Sequence, residues 1–202
     1  MKAINNFIIE KLRLGNVKIA KQFDILFEDM HFCSIKDMSA KDGKPIAICV
    51  IEENQCDNDA PIWMALYDKY NMQELRFSDI EEEIVLDSKS GYENTQHLKN
   101  TVKNLKEYPA FNYVLNYHTK NTDKGDWFLG SAKELGYIFS FIEDLNSTLS
   151  KIHKQNTWEV GINFWTSNTK TKAAGTAYSA GTKKPLGQWK DNHCGILPLL
   201  KF

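Results

Sequence analysis

The sequence predicts an α+β fold, on three observations. β-Branched apolar runs cluster early in the chain and again near its end, the middle third carries a helical period, and the order is strands, helices, strands. At 202 residues the chain can bury about 70% of its unfolded surface, enough for one self-sufficient core. A short appendage is expected beside that core: residues 1–15 a helical arm, 16–43 a connecting segment, and 44–202 the main domain.

In order, "MKAINNFIIEKLRLG" places Ile4, Phe7, Ile8 and Leu12 on one helical stripe, with Gly15 as the stop. A helix this short is marginal alone, so the stripe predicts docking on a partner. "KPIAICVIEE" (44–53) reads as a strand buried on both faces, and "APIWMALYDK" (60–69) as its hairpin mate across the polar turn "NQCDND". The acidic tract "DIEEEIVLD" leads outward as a solvated edge, because successive carboxylates on a strand point to opposite sides.

From Asn94 the period is helical through Leu98, Val102 and Leu105, until Pro109 breaks it and "AFNYVLNYH" starts a second short helix. "WFL" (127–129) reads as a short buried strand. Ser131 with Glu134 forms an S-x-x-E capping box ahead of a helix whose inner face is Leu135, Ile138 and Ile142. A further helical piece carries Leu145, Leu149 and Ile152. Beyond Trp158 come "GINFWTSN", "AAGTAYSAGT" and "CGILPLLKF", strands and small-residue loops. The last of them is expected to share a sheet with the first. "GTAYSAGTKK" (175–184) reads as a flexible loop between two strands.

Composition excludes several functions. Net charge is −1, and the 25% charged and 42% hydrophobic shares are ordinary for a globular protein, so neither names a partner. Arg13 and Arg76 are the only arginines, and no basic run interleaves with stacking aromatics; nucleic-acid readout is not expected. Charge is uneven: residues 52–93 carry twelve acids and three bases, and 151–202 eight lysines and two acids, which suits a basic face meeting an acidic neighbour such as a second copy of the chain. No apolar run approaches a membrane span, and Asn5 and Asn6 interrupt the only short apolar run at the start, so no secretory signal is read.

Sites of chemistry fare poorly. Cys33, Cys49, Cys56 and Cys194 lack metal or redox spacing and read as buried free thiols. Ser131 sits in "LGSAKE", not G-x-S-x-G, and capping accounts for it. Residues 175–184 lack the phosphate-loop spacing. His31, His97, His118, His153 and His193 are scattered, and His193 and Cys194, adjacent on a strand, would face opposite ways. Asn121, Asp123 and Asp126 alternate like a calcium loop without its distal acid and read as a turn. No catalytic residue, metal or cofactor is expected.

Four stretches, "YENTQHL", "GDWFLGSAKELGYIF", "NFWTSN" and the ending "ILPLLKF", resemble the bacterial and phage branch of the C-type-lectin-like fold. That branch includes Bacteroidetes surface proteins, phage fibre proteins and the variable proteins of diversity-generating retroelements. The resemblance spans about residues 44–202. Gly130 stands where the family has proline, and Leu197 where it has a buried arginine. The calcium-binding motif of true lectins is only echoed by "QWKDN" (188–192), and the paired cysteines of formylglycine-generating relatives have no counterpart around Cys194. The resemblance implies a ligand face on the C-terminal loops and strands, here Asn168, Lys170, Lys172, Tyr178, Lys183, Lys184, Gln188, Trp189 and Asn192. A polar, lysine-rich segment carrying Tyr178 and Trp189 fits a contact surface.

The arm "MKAINNFIIEKL" is similar to the starts of tailed-phage proteins assembled into the head. Together these readings imply a non-enzymatic bacteriophage virion component, of head-fibre, capsid-associated or tail-fibre type. Its implied partners are other virion proteins, further copies of itself and a host-surface ligand. The alternative is a host-encoded lectin-like module that recognises a glycan or a protein.

Overall fold

The computed structural model describes residues 19–39, 43–66, 72–81, 84–152 and 161–202. The arm residues Ile4, Phe7, Ile8 and Leu12 lie outside them. Early strands are β1 (Ile25–Phe27), β2 (Phe32–Cys33), β3 (Pro45–Ile51), β4 (Ile62–Ala65) and β5 (Glu74–Arg76). The helical section runs α1 (Gly91–Thr101), α2 (Pro109–Asn116), the short strand β6 (Trp127–Leu129), α3 (Ala132–Ser140) and α4 (Ile142–Ile152). It closes with β7 (Asn163–Thr169), β8 (Ala174–Ser179), β9 (Lys184–Trp189), β10 (His193–Gly195) and β11 (Pro198–Lys201). The class is α+β.

Two sheets result. One has the order β2-β1-β3-β4-β11-β6, the other β5-β10-β7-β8-β9. The final strand sits beside β4, with Leu199 opposite Met64, so the end of the chain shares a sheet with its early strands. That sheet also takes in β1 and β2, from the segment the sequence reads as a connection. The chain passes from one sheet to the other between Gly195 and Pro198, stitching the two together.

The β3–β4 hairpin pairs Ile48 with Met64 and Cys49 with Trp63. Its turn holds Asn54, Cys56 and Asp57 at φ 65°, 55° and 64°, a left-handed stretch that asparagine and aspartate tolerate. Both faces of these strands are buried, as the unbroken apolar run suggests. Ile62 and Met64 enter a cluster with Leu135, Ile138 and Phe139 of α3, whereas Trp63 and Ala65 face a second cluster with Trp127 and Leu200. Phe202 stacks on Trp63 with centroids 6.0 Å apart and covers that second face.

The five-stranded sheet is likewise covered twice. Alternation sends Trp165 and Ala177 toward Phe111 and Val114 of α2, and Phe164 and Tyr178 toward α3. Helix α1 begins at Gly91, three residues before the expected start, because the Ser90 side chain accepts a hydrogen bond from the Glu93 backbone N–H. Residues 175–184 are not a flexible loop. They form β8, a turn and the first residue of β9, and their small side chains answer to packing: a Cβ on Gly175 would come within 3.0 Å of the Phe77 ring and 3.1 Å of Trp165. Among the described residues no helix is long and apolar enough to cross a membrane.

Candidate functional site

The turn after β6 positions the centre of the molecule. Ser131 is fully buried, its hydroxyl donates to Lys89 O at 2.6 Å, and its oxygen accepts from the Glu134 N–H at 3.2 Å. Glu134 Oε2 accepts from Ser131 N at 2.7 Å and from Gly91 N at 3.0 Å. One carboxylate thus serves the N-termini of α1 and α3 together, where both helix dipoles favour negative charge. Burial pushes the Glu134 carboxyl up from its ordinary value, against the opposing pull of the hydrogen bonds from Ser131 and Gly91. Both hydrogen-bonding roles of the Ser131 hydroxyl are engaged in capping.

Asn168 belongs to this framework and not to an open face. Its Oδ1 accepts from Ala132 N at 2.8 Å, and its Nδ2 donates to Leu86 O and Ser88 O at 3.3 and 3.0 Å. Asn94 extends the network, donating to Ser88 O and Ser167 Oγ at 3.0 Å each. Tyr178 is a second departure from the expected ligand face. It is 6% exposed, stacks on Phe139 at 5.5 Å and donates its hydroxyl to Lys183 O at 2.6 Å. Gly136 makes room for it, since a Cβ there would meet the ring at 3.3 Å. The sequence pattern of an aromatic among small polar residues does not distinguish a contact residue from one that needs small neighbours to be buried.

The other members of that face are accessible, at two ends of one strand. Strand β9 is the edge of its sheet, and Trp189 lies opposite Ala174 while Lys184 lies opposite Ser179. Five steps of about 3.4 Å each separate these ends by roughly 17 Å. Lys170, Lys172, Gln188, Trp189 and Asn192 gather where β7 turns into β8, and Lys183 and Lys184 sit at the far turn. Lys170 lies along β9, its Cδ and Nζ 3.0 Å from where a Gly187 Cβ would stand. Asn192 Nδ2 donates to Gln188 Oε1 at 2.9 Å and braces the turn.

At that end the chain inverts the usual arrangement of side chains. Trp189 is 64% exposed, whereas the adjacent Lys190 is 4% exposed with its Nζ 5.8 Å from the Phe77 ring centroid. The backbone there is fixed: Lys190 N donates to Ala173 O, and Lys190 O accepts from Phe77 N, at 3.0 and 2.9 Å. The tryptophan is therefore held outward on a rigid strand.

Other chemistry-bearing groups are placed as follows. The four cysteines are free, and burial pushes the Cys49 and Cys194 thiols up to about 12, so they stay protonated. Cys194 is buried and His193 exposed, on opposite sides of β10. Asp126 Oδ2 accepts from Asp123 N and Thr122 Oγ1 from Thr119 N, each at 2.7 Å, which makes 119–126 a self-bonded turn, and Asn121 Nδ2 ties it to Glu28 O at 2.6 Å. No group of three or more metal-ligating side chains converges among the described residues. One concavity that the sequence reading did not single out lies between α2 and β5. Its signal is the repeat Asn112-Tyr113 and Asn116-Tyr117, which sets like residues one helical turn apart.

No protein-family model matches the chain, and no curated protein does. In solved structures, the fold is similar to that of a fimbrial protein from Bacteroides ovatus ATCC 8483, with a TM-score of 0.69 at 16% identity. The similarity covers 91% of this chain and 49% of that one. The chain thus spans about half the length of the fimbrial protein, and at this identity the likeness is one of fold.

Proposed function

We propose that the protein is a non-enzymatic component of a surface assembly, a bacteriophage virion, built on a C-type-lectin-like domain that presents a ligand-binding end at Trp189. The observation that carries the binding part is the reversal at residues 189 and 190, where the aromatic faces solvent and the lysine does not. Exposing a tryptophan on a fixed backbone forgoes burial worth about 2 kcal/mol, a cost that a binding surface recovers on contact. Exposed Lys170 and Lys172 beside it favour a partner carrying negative charge.

The virion assignment draws its support from the arm sequence. Apolar side chains at Ile4, Phe7, Ile8 and Leu12 would dock in a groove of a neighbouring virion protein, contributing several kcal/mol at about 1.5–3 each before the cost of ordering. Phe7→Asp should be missing from purified particles while its circular dichroism stays that of the parent chain. Normal incorporation would remove the docking role.

A second reading is favoured by the fimbrial neighbour: a host-encoded module that meets a glycan or a protein with the same Trp189 end. A glycan array carrying sulfated and sialylated members tests the binding part under either reading. A hit weakened about 30-fold by Trp189→Ala, the effect of losing a 2 kcal/mol anchor, supports it. A hit indifferent to Trp189 would place the ligand elsewhere.

A further inference from the structure

Helix α2 and strand β5 bound a groove of about 610 Å³, within the range of roughly 300–1,000 Å³ usual for small-ligand sites. It lies apart from the Trp189 end and is built from different residues. Half-buried Leu75, Pro109 and Tyr117 supply an apolar base, and exposed Lys106, Asn116 and His118 supply polar groups around it. Helical spacing explains the placement. Phe111, Val114 and Leu115 bury the inner face of α2, which leaves Asn112, Tyr113 and Asn116 on the groove side.

The polar groups are oriented in advance. Asn116 Nδ2 donates to Asn112 O at 2.9 Å and to Asn112 Oδ1 at 3.0 Å, which fixes both carboxamides. Asn112 Nδ2 is left as a donor, and Asn116 Oδ1 as an acceptor, with no partner among the described residues. His118 Nδ1 lies 3.0 Å from Asn116 O. A carbonyl can only accept, so Nδ1 is the donor of that pair, and in the neutral imidazole Nε2 presents a lone pair. The Tyr113 hydroxyl has no hydrogen-bond partner among the described residues either, and the two tyrosine rings sit 6.0 Å apart. Burial raises both phenols, Tyr117 to about 12, so they are uncharged at any physiological pH.

We propose that this groove is a saccharide-binding subsite for a neutral hexose chain, whose hydroxyls meet Asn112, Asn116 and His118 while a sugar face lies against Tyr113. A sugar hydroxyl both donates and accepts, which matches one fixed donor beside two fixed acceptors. Stacking needs an accessible ring over an apolar base, which Tyr113 and Tyr117 provide. The groove holds one lysine and no acid, so it disfavours a cationic ligand, and a charged control distinguishes an anionic chain from a neutral one. An extended peptide fits less well, because Gln73 O just before β5 and Leu75 O within it already accept from Ile196 N at 3.0 Å and from Trp165 Nε1 at 2.8 Å.

The test titrates the full chain with maltohexaose, cellohexaose, mannohexaose and chitohexaose, read by saturation-transfer NMR, with a heparin hexasaccharide as charged control. At least one neutral chain should bind with Kd on the order of 0.1–1 mM, as a shallow open site allows. Tyr113→Ala and Asn112→Ala should each weaken that binding tenfold or more, and Trp189→Ala should leave it unchanged. If Tyr113→Ala does not fold by circular dichroism, Asn112→Ala decides alone. No neutral saccharide bound at about 10 mM, tenfold above the weakest expected Kd, overturns the subsite. So does neutral binding lost in Trp189→Ala but kept in the groove variants, or a peptide taken by the groove in place of every saccharide. Heparin binding lost only in Trp189→Ala would support the proposed Trp189 surface without bearing on the groove, so the two can fail separately.

Discussion

The turn at Gly130–Glu134 and the strand end at Gln188–Asn192 are both short segments beside an aromatic residue, yet they use their polar atoms in opposite ways. At the turn, the Ser131 hydroxyl and Glu134 Oε2 are engaged with backbone at the N-termini of α1 and α3, and both residues are 0% exposed. At the strand end, hydrogen bonds fix only the backbone and one pair of side chains, and the largest side chain stands in solvent. The turn stabilises the fold through its contacts, whereas the strand end keeps contacts unmade. Substitutions should therefore separate the two, costing stability at one and binding at the other.

The largest expected effect is Gly91→Ala. Its Cβ would stand 2.4 Å from Leu129 O and 2.6 Å from Ser131 N, both backbone atoms that cannot swing aside. Urea denaturation should show a loss of about 3 kcal/mol or more. Glu134→Ala comes next. It strips two buried N–H groups of their carboxyl acceptor, and a loss of about 2–3 kcal/mol is expected in the same assay.

Glu134→Gln sharpens the reading through pH. Burial raises the native carboxyl above its ordinary value of 4.5, so the native state binds its proton more tightly than the unfolded chain does. Between those two values the unfolded chain carries fewer protons, and the stability of the parent falls as pH rises. Glutamine keeps an acceptor and cannot ionise, so parent and variant should diverge in the variant's favour from pH 4.5 upward in denaturation series. A gap that is flat with pH would show that the hydrogen bonds cancel the effect of burial, and one that moves in the parent's favour as pH rises would show that they outweigh it. Ser131→Ala should cost about 1 kcal/mol, the usual value of an N-cap. Smallest is Trp189→Ala, under about 0.5 kcal/mol in stability, while ligand affinity falls about 30-fold for a 2 kcal/mol anchor. A stability loss matching that of Glu134→Ala would make Trp189 structural and erase the contrast.

Local signals carried the fold a long way. The Ser131–Glu134 box and the β3–β4 hairpin are each decided by neighbours in sequence, and the structure has both. Helix α1, by contrast, ends at Thr101, short of the expected Val102 and Leu105, and Pro109 opens α2 as its first residue instead of ending a helix. Ser90 and Glu93 form the same S-x-x-E pattern and mark the true start of α1, although the apolar period alone begins later. What the sequence could not display were contacts between distant segments. β5 joins the second sheet through β10, more than a hundred residues away, and Gly175 is small because Phe77 and Trp165 crowd it. The candidate face was partly legible for the same reason. Exposure of Trp189 and the lysines follows from an edge strand, whereas burial of Tyr178 depends on Gly136 and Phe139 from another element.

The outer margin of the second sheet has a bearing on assembly. Among the described residues β9 has no neighbour beyond it, and its second residue is Pro185 behind Lys184. Proline offers no amide hydrogen to an incoming strand, and lysine resists a like-charged copy of itself. The opposite sheet ends at β6, where the Leu129 amide is already occupied by Thr95 Oγ1 at 3.1 Å. Copies of this domain are thus discouraged from pairing backbone to backbone at β9 and β6, two of the four sheet edges. Contact between copies at these two borders would have to run through side-chain surfaces and not through shared backbone hydrogen bonds.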